Sequence, residues 1–117
     1  GNYEVTLETA PRYVNSNCTA CGDCADACSD EIDNDFNFGL NKSKAAYLPH
    51  EMAFPRRYVI NKDALSDGGE AVKASCKYGA VDLDMGTETK TINVASIIYA
   101  TGWTPYDPTK MDNLKFT

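Results

Sequence analysis

The stretch Cys18-Thr-Ala-Cys21-Gly-Asp-Cys24-Ala-Asp-Ala-Cys28 decides how the rest of the chain is read. Its cysteines stand at C-x2-C-x2-C-x3-C, the spacing of a loop that wraps an iron–sulfur cluster. A cysteine at every third position lets a short loop turn three thiolates toward one side of a cubane. The same tight gaps bring backbone N–H groups near the cluster sulfurs, where they lower the energy of its negative charge. Gly22 suits such a loop, because a residue without a Cβ takes a positive φ and lets the backbone approach closely. Structural zinc fits less well. It pairs two C-x2-C knuckles, or one knuckle with two histidines, and this chain has 1 His and no second knuckle. A disulfide framework is disfavoured by an odd count of 5 cysteines, mostly bunched, with no secretion signal. Thiol–disulfide exchange needs only one C-x2-C pair and leaves the third and fourth cysteines without a task.

Outside this loop the composition is that of an ordinary globular sequence. The chain has 117 residues, 43% hydrophobic and 24% charged, one domain's worth with a modest core. Its longest apolar run, Ala95–Ala100, falls far short of the ~20 residues of a membrane span. Residues 1–15 are polar and alternating, unlike a signal peptide. These features predict a cytoplasmic, reducing compartment, which also suits an oxygen-sensitive cluster. The net charge of −6 argues against a nucleic-acid partner, whose phosphates would repel it. It favours docking on basic protein surfaces instead. The chain starts at Gly1-Asn2 and enters a strand pattern almost at once, so it is expected to be a piece of a larger polypeptide.

Tyr3–Glu8 alternates apolar and polar residues as a half-buried strand does, and Ala10-Pro11 stops it. Arg12–Val14 reads as a short strand entering the cysteine loop. A helix is expected from about Cys24 to Ile32, with its positive dipole end toward the anionic cluster. Residues 33–57 are punctuated by Asn, Gly and Pro, and read as a packed insert anchored by Phe36, Phe38, Tyr47 and Phe54. His50 stands alone there and is given no role. Tyr58–Ile60, Ala80–Asp84 and Thr89–Val94 read as strands, and residues 66–76 as a helix capped by Ser66 or Asp67. Ser96–Ala100 is a continuous apolar run, the pattern of a strand buried on both faces. The tail from Thr104, with Pro105 and Pro108, is expected to fray.

An internal repeat bears on which thiols act together. Arg12-Tyr13-Val14 recurs as Arg57-Tyr58-Val59, and each copy leads to a short helix ending at a cysteine, Cys28 or Cys76. Laying Cys28 on Cys76 sets Cys18, Cys21 and Cys24 opposite Ser66, Gly69 and Val72. The second half keeps only the last cysteine of a motif. In two-cluster ferredoxins the first three cysteines of one motif hold one cluster and the fourth serves the other. That rule predicts one [4Fe-4S] cluster on Cys18, Cys21, Cys24 and Cys76, with Cys28 an orphan. Two alternatives stay open: Cys28 as fourth ligand with Cys76 a buried core thiol, or a three-iron cluster on three cysteines.

The first half resembles bacterial-type ferredoxin domains, and the resemblance extends further. Pro11-Arg-Tyr-Val14, the cysteine run, Lys44-Ala-Ala-Tyr-Leu-Pro49 and Val59-Ile-Asn61 look like the ferredoxin insert of the heterodisulfide reductase A subunit. They look equally like its relative, the A subunit of the quinone-interacting membrane-bound oxidoreductase. The resemblance implies an α+β fold: a degenerate bacterial-type ferredoxin domain of two β-loop-α-β halves over residues 11–86, with its insert at about 33–57. Strands from a parent FAD-binding domain, residues 1–10 and 87–117, would flank it. Ile97-Ile-Tyr-Ala-Thr-Gly102-Trp-Thr-Pro105 is similar to a segment such flavoproteins place beside FAD, which implies Thr101 and Gly102 as cofactor neighbours in the intact parent. The implied partners are other subunits of a redox complex and a protein electron donor or acceptor, with any membrane association made through those subunits. The second motif departs from the family, being reduced to Cys76. Ser29 also departs, standing where a ferredoxin has Pro, and both departures fit loss of a second cluster and incline the resemblance toward the quinone-linked relative. No G-x-G-x-x-G occurs, so this chain alone is not expected to hold FAD.

These readings make the chain a one-electron transfer module of a larger oxidoreductase, with no catalytic residue of its own. The carboxylates of Asp23, Asp26 and Asp30 crowd the loop and either disfavour adding an electron or form a solvated helix face. The alternative function is a structural metal-binding and docking domain that presents residues 33–57 to another subunit of a complex. For a catalytic thiol only His50 is available as base, and nothing in the sequence brings His50 to Cys28 or Cys76.

Overall fold

In the computed structural model, which describes residues 1–115, two left-handed glycines open the two helices. Gly22 (φ 100°) precedes α1, Asp23–Ala27, and Gly69 (φ 87°) precedes α2, Glu70–Ser75. A Cβ at such a φ would crowd the backbone, so glycine is the residue that makes both corners. Each helix closes on a cysteine in extended conformation, Cys28 and Cys76. The sequence repeat is thus a repeat of shape, with helices of 5 and 6 residues.

Both helices are shorter than the sequence suggests. Helix α1 stops at Ala27, and Glu31–Asp33 forms β2. Asp30, Asp33 and Asn34 compete with helical hydrogen bonding, and Ile32 is β-branched. Pairing with β3, Lys42–Lys44, gives this segment its backbone partners instead, in antiparallel register with Ile32 opposite Ser43. Helix α2 starts at Glu70 because Gly68 (φ 69°) and Gly69 both leave right-handed space. The Asp67 carboxylate still serves the helix start, accepting from Gly69 N at 2.7 Å and Ala71 N at 2.9 Å. Ser66 does other work: its N–H (3.0 Å) and hydroxyl (3.1 Å) donate to the Asp30 carboxylate, tying one half to the other.

Strands β4, Ala46–Tyr47, and β5, Val59–Ile60, pair antiparallel, and β1, Tyr3–Thr9, pairs with β6, Glu88–Val94. The strands expected at 12–14 and 80–84 reduce to one antiparallel bridge, Val14 to Val81. Asn15 N donates to Ala80 O (2.8 Å) and Asp82 N to Tyr13 O (3.0 Å). Positive φ at Tyr13 (56°) and Gly79 (59°) keeps either side from extending further. Short helices with antiparallel strand pairs make the architecture α+β.

The chain forms two compact units, Leu7–Lys90 and Gly1–Thr6 with the chain from Thr91 onward. In the first, Val14, Ile60, Leu65, Val72, Val81 and Leu83 form the core with three alanines and the thiols of Cys24 and Cys28. Burying a side chain the size of Ile60 or Val72 contributes about 1.5–3 kcal/mol. The insert packs through Ala45 and Ala46, both 0% exposed, and not through the expected aromatics. Phe36, Phe38 and Phe54 are exposed and only Tyr47 is half-buried. The backbone passes so near the core that methyl groups fill the gap, which puts the phenyl rings on outer turns. In the second unit the run Ser96–Ala100 is exposed and forms no strand. A strand buried on both faces needs cover on both, and the described residues of this unit supply none. Thr104–Lys115 contains two short turns, Pro108–Lys110 and Asp112–Leu114, and the last two residues of the expected fraying tail lie outside the described residues.

Candidate metal centre

The loop after the Val14 bridge runs without regular structure to Gly22, which leaves its thiols free to turn inward. Cys18, Cys21 and Cys24 line one pocket, and the fourth thiol on its wall is Cys76 from the far repeat. Val14, Gly22, Tyr58, Tyr78 and Val81 complete most of the lining. Cys28 is not part of it. That thiol is buried in the core, 4% exposed, with Sγ 3.6 Å from Asp30 O. Its place follows from the early end of α1: the extended C-cap turns the cysteine under the helix. Thr101 and Gly102 (φ 67°) belong to the other unit and are exposed.

Backbone amides already solvate two of these sulfurs. Ala20 N donates to Cys18 Sγ at 3.4 Å and Ala80 N to Cys76 Sγ at 3.3 Å. Burial pushes the Cys76 thiol up, but the amides of Ala80, Tyr78, Val81 and Gly79 outweigh it, and its pKa lies below the ordinary value. Cys24 sits at the opposite extreme. Burial, and then the neighbouring Cys18 and Cys21, push it up to about 11. Of the two thiols Cys76 therefore gives up its proton the more readily, and burial holds the proton on Cys24. Such a donor set, four thiols with N–H···S support, fits an iron–sulfur cluster. Among the described residues no three His, Cys, Asp or Glu side chains are grouped as ligands of a single ion. The thiols are ranged around the pocket walls instead.

The carboxylates near the loop divide by role. Lys77 Nζ lies 3.0 Å from Asp23 Oδ2, and this hydrogen bond and charge hold Asp23 below its ordinary value. The pair links the residue after Cys76 to the residue before Cys24, so Asp23 adds no unbalanced charge. Asp30 is engaged with Ser66, and among the described residues Asp26 is an exposed carboxylate on α1 with no ion-pair partner. Motif spacing does not single out Tyr58. Its hydroxyl sits 3.5 Å from where a Cβ on Gly22 would project, and its acidity is suppressed by burial and then by nearby Cys24 and Asp26. The signal that could have found it is the repeated Arg-Tyr-Val. Lys77 could have been found from its place beside Cys76.

Comparison with known proteins agrees with the motif. No protein-family model matches the chain. Over 110 residues it is 43% identical to the iron–sulfur A subunit of the CoB–CoM heterodisulfide reductase of Methanocaldococcus jannaschii, covering 93% of this chain and 17% of that protein. Over 113 residues it is 43% identical to the A subunit of the H2/formate:CoB–CoM heterodisulfide, ferredoxin reductase of Methanococcus maripaludis, with 96% and 17% covered. The chain is homologous to one segment of the heterodisulfide reductase A subunit. A third relative, the A subunit of the ferredoxin:CoB–CoM heterodisulfide reductase of Methanosarcina acetivorans, is 36% identical over 111 residues, 92% of this chain and 14% of that one. The chain thus spans about one sixth of the length of these relatives. These three relatives carry the name of one of the two families that the quoted motifs resemble, the heterodisulfide reductase A subunit, and not that of the quinone-linked oxidoreductase. Among the described residues no helix is long and apolar enough to cross a membrane.

Proposed function

We propose that residues 11–86 form a degenerate bacterial-type ferredoxin domain that holds one [4Fe-4S] cluster on Cys18, Cys21, Cys24 and Cys76. It passes single electrons within a larger flavin-containing reductase of the heterodisulfide reductase A type. The observation that carries this reading is that Cys18, Cys21 and Cys24 of the first repeat and Cys76 of the second line one pocket, with Cys28 buried in the core. The relatives' names, as iron–sulfur subunits of reductases, support it. When bound, such a cluster accepts and releases one electron at a time.

The chain's own residues would set the conditions. Amides of Ala20 and Ala80 donate toward ligand sulfurs and lower the energy of negative charge there. Val14, Val81 and Tyr58 keep water from the inner wall. In the intact parent, Thr101 and Gly102 would stand near FAD, with residues 1–10 and 87–117 returning to that domain. Partner subunits and a protein electron donor or acceptor complete the setting, in the cytoplasm or at a membrane reached through those subunits.

The test is iron and sulfide content with visible absorbance of anaerobically reconstituted wild type, Cys28→Ser and Cys76→Ser. Loss of the cluster on replacing Cys76, and its retention on replacing Cys28, is the expected result. The reverse would transfer the fourth ligand to Cys28. A second reading, a structural metal and docking domain, draws on the exposed Phe36, Phe38, Leu40, Met52 and Phe54 of the insert. One tightly held zinc and no redox activity would favour it.

A further inference from the structure

One carboxylate belongs to the lining of the thiol pocket. Asp23 stands there with Cys21 and Cys24, and its side chain is only 35% exposed. From Asn15 to Asn41 the chain contains no Lys or Arg, so the loop has no positive charge of its own. The compensating cation comes from the far repeat. Lys77 Nζ lies 3.0 Å from Asp23 Oδ2 and 6.0 Å from the centre of the Tyr78 ring, which also lines the pocket. Lys77 directly follows Cys76, the second-half thiol of the lining, whereas the uncharged Ser29 follows the buried Cys28. Positive charge thus accompanies the closing cysteine that lines the pocket and is missing beside the one that packs in the core.

We propose that Lys77, held by Asp23, is the charge-compensating residue of the cluster: it cancels the carboxylate of the pocket lining and so eases the addition of an electron. The inference rests on the electron-transfer reading. The potential of an iron–sulfur cluster follows the net charge around it. Four thiolates already make the site anionic, and an unbalanced carboxylate in the same lining opposes a further electron by Coulomb repulsion. As a strut the pair is worth little, because an exposed ion pair contributes little to stability. As a fixed charge it counts for more, since the potential senses the field at the site and not the strength of the contact. Asp23 supplies the fixing. A lysine stem is long and flexible, so the ammonium stays by the pocket only while the carboxylate anchors it.

The experiment is a mediated electrochemical titration of the anaerobically reconstituted full chain, followed by visible absorbance, with iron content and the urea midpoint read on the same samples. Lys77→Gln is expected to disfavour reduction by roughly fivefold in the one-electron equilibrium, about 40 mV at 59 mV per tenfold. Its urea midpoint at neutral pH should stay at the wild-type value, and Lys77→Arg should keep the wild-type potential. Asp23→Asn should move the potential much less, because it removes the carboxylate and frees the lysine together. Adding Lys77→Gln to Asp23→Asn should then have little further effect, a non-additivity that marks a held pair. Lys73→Gln, which removes an exposed cation of α2 that has no ion-pair partner among the described residues, is the control and should leave the potential nearly unchanged. In about 1 M salt, where the Debye length is about 3 Å, the Lys77→Gln shift should shrink.

No shift with Lys77→Gln, or an equal shift with Lys73→Gln, would overturn the proposal. Equal and opposite shifts in Lys77→Gln and Asp23→Asn would overturn it too, since they mark two independent charges. Loss of iron from Lys77→Gln would make the pair a strut and likewise overturn it. Any of these outcomes beside an intact wild-type couple strikes Lys77 alone. A wild-type chain that takes up no cluster strikes the electron-transfer reading and this inference with it.

Discussion

The two halves of the Leu7–Lys90 unit share a corner glycine, a short helix and a closing cysteine, yet one half opens and the other fills. Around Cys18–Cys24 the loop turns thiols toward a pocket. At the matching place in the second half stand Leu65, Gly69, Val72 and Leu83, all buried. A Cβ on Gly69 would lie 2.8 Å from Leu83 Cδ1 and 2.9 Å from Leu65 Cδ1, whereas at Gly22 its nearest neighbour is the Tyr58 hydroxyl at 3.5 Å. The corner is common to both, and the side chains around it decide whether it cradles a ligand or closes a core. Cys28, facing the filled side, is accordingly a packing residue, and Cys76, facing the open side, is the one with an amide-stabilised sulfur.

The largest expected effect tests that division at the thiols. Cys76→Ser should abolish cluster incorporation, while Cys28→Ala should keep the iron and lower only the denaturation midpoint. Equal iron loss in both would erase the contrast. Next comes the filled side itself. Leu83→Ala removes buried contacts and should destabilise the folded chain by about 2–5 kcal/mol, measured by urea unfolding, with iron content unchanged after reconstitution. A smaller difference is expected at the glycines. Gly69→Ala meets both leucines and a left-handed φ, so it should unfold at clearly lower denaturant than Gly22→Ala, which carries the strain of a Cβ at positive φ, about 1–2 kcal/mol. The reverse order would mean that the closed corner relaxes more easily than its contacts suggest.

The smallest effect concerns the ion pair that joins the halves. Lys77 holds the Asp23 pKa below 3.8, and Asp23 holds the Lys77 pKa above 10.5. For Asp23 the folded value is depressed, so its stabilisation is present above 3.8 and fades as pH falls through the folded value. For Lys77 the folded value is raised, so its part is present below 10.5 and lost as pH rises through the folded value. Lys77→Gln should therefore flatten the acid limb of the stability profile below pH 3.8 and change little else, since both groups face solvent. A large loss at neutral pH would show the pair to be a structural link between the halves.

The four cysteines that line one pocket could be singled out in the sequence because cysteine spacing states a geometric demand directly. Four thiols at short, fixed intervals, and a fifth placed by the repeat, are information carried by single residues. Helix ends and strand lengths were less legible, since local propensity competes with tertiary partners. The Cys24–Ile32 helix yielded at Cys28 to a strand pairing with Lys42–Lys44, which lies beyond the reach of local pattern. The aromatics of the insert were read as anchors because they are large, but the closeness of backbone to core selected Ala45 and Ala46. The run at Ser96–Ala100 has the pattern of a buried strand without, among the described residues, the elements that would bury it.

What the amino-acid sequence carried by itself is the cysteine spacing, a resemblance to the heterodisulfide reductase A subunit and its quinone-linked relative, and the presence of two unequal halves. Each of these is written in residue identity and spacing. Only the tertiary structure decided which thiols share a wall and that Asp23 is neutralised while Asp26 is not. Those facts depend on which surfaces meet once the chain has closed on its core, and distances between residues remote in sequence exist only after that closure.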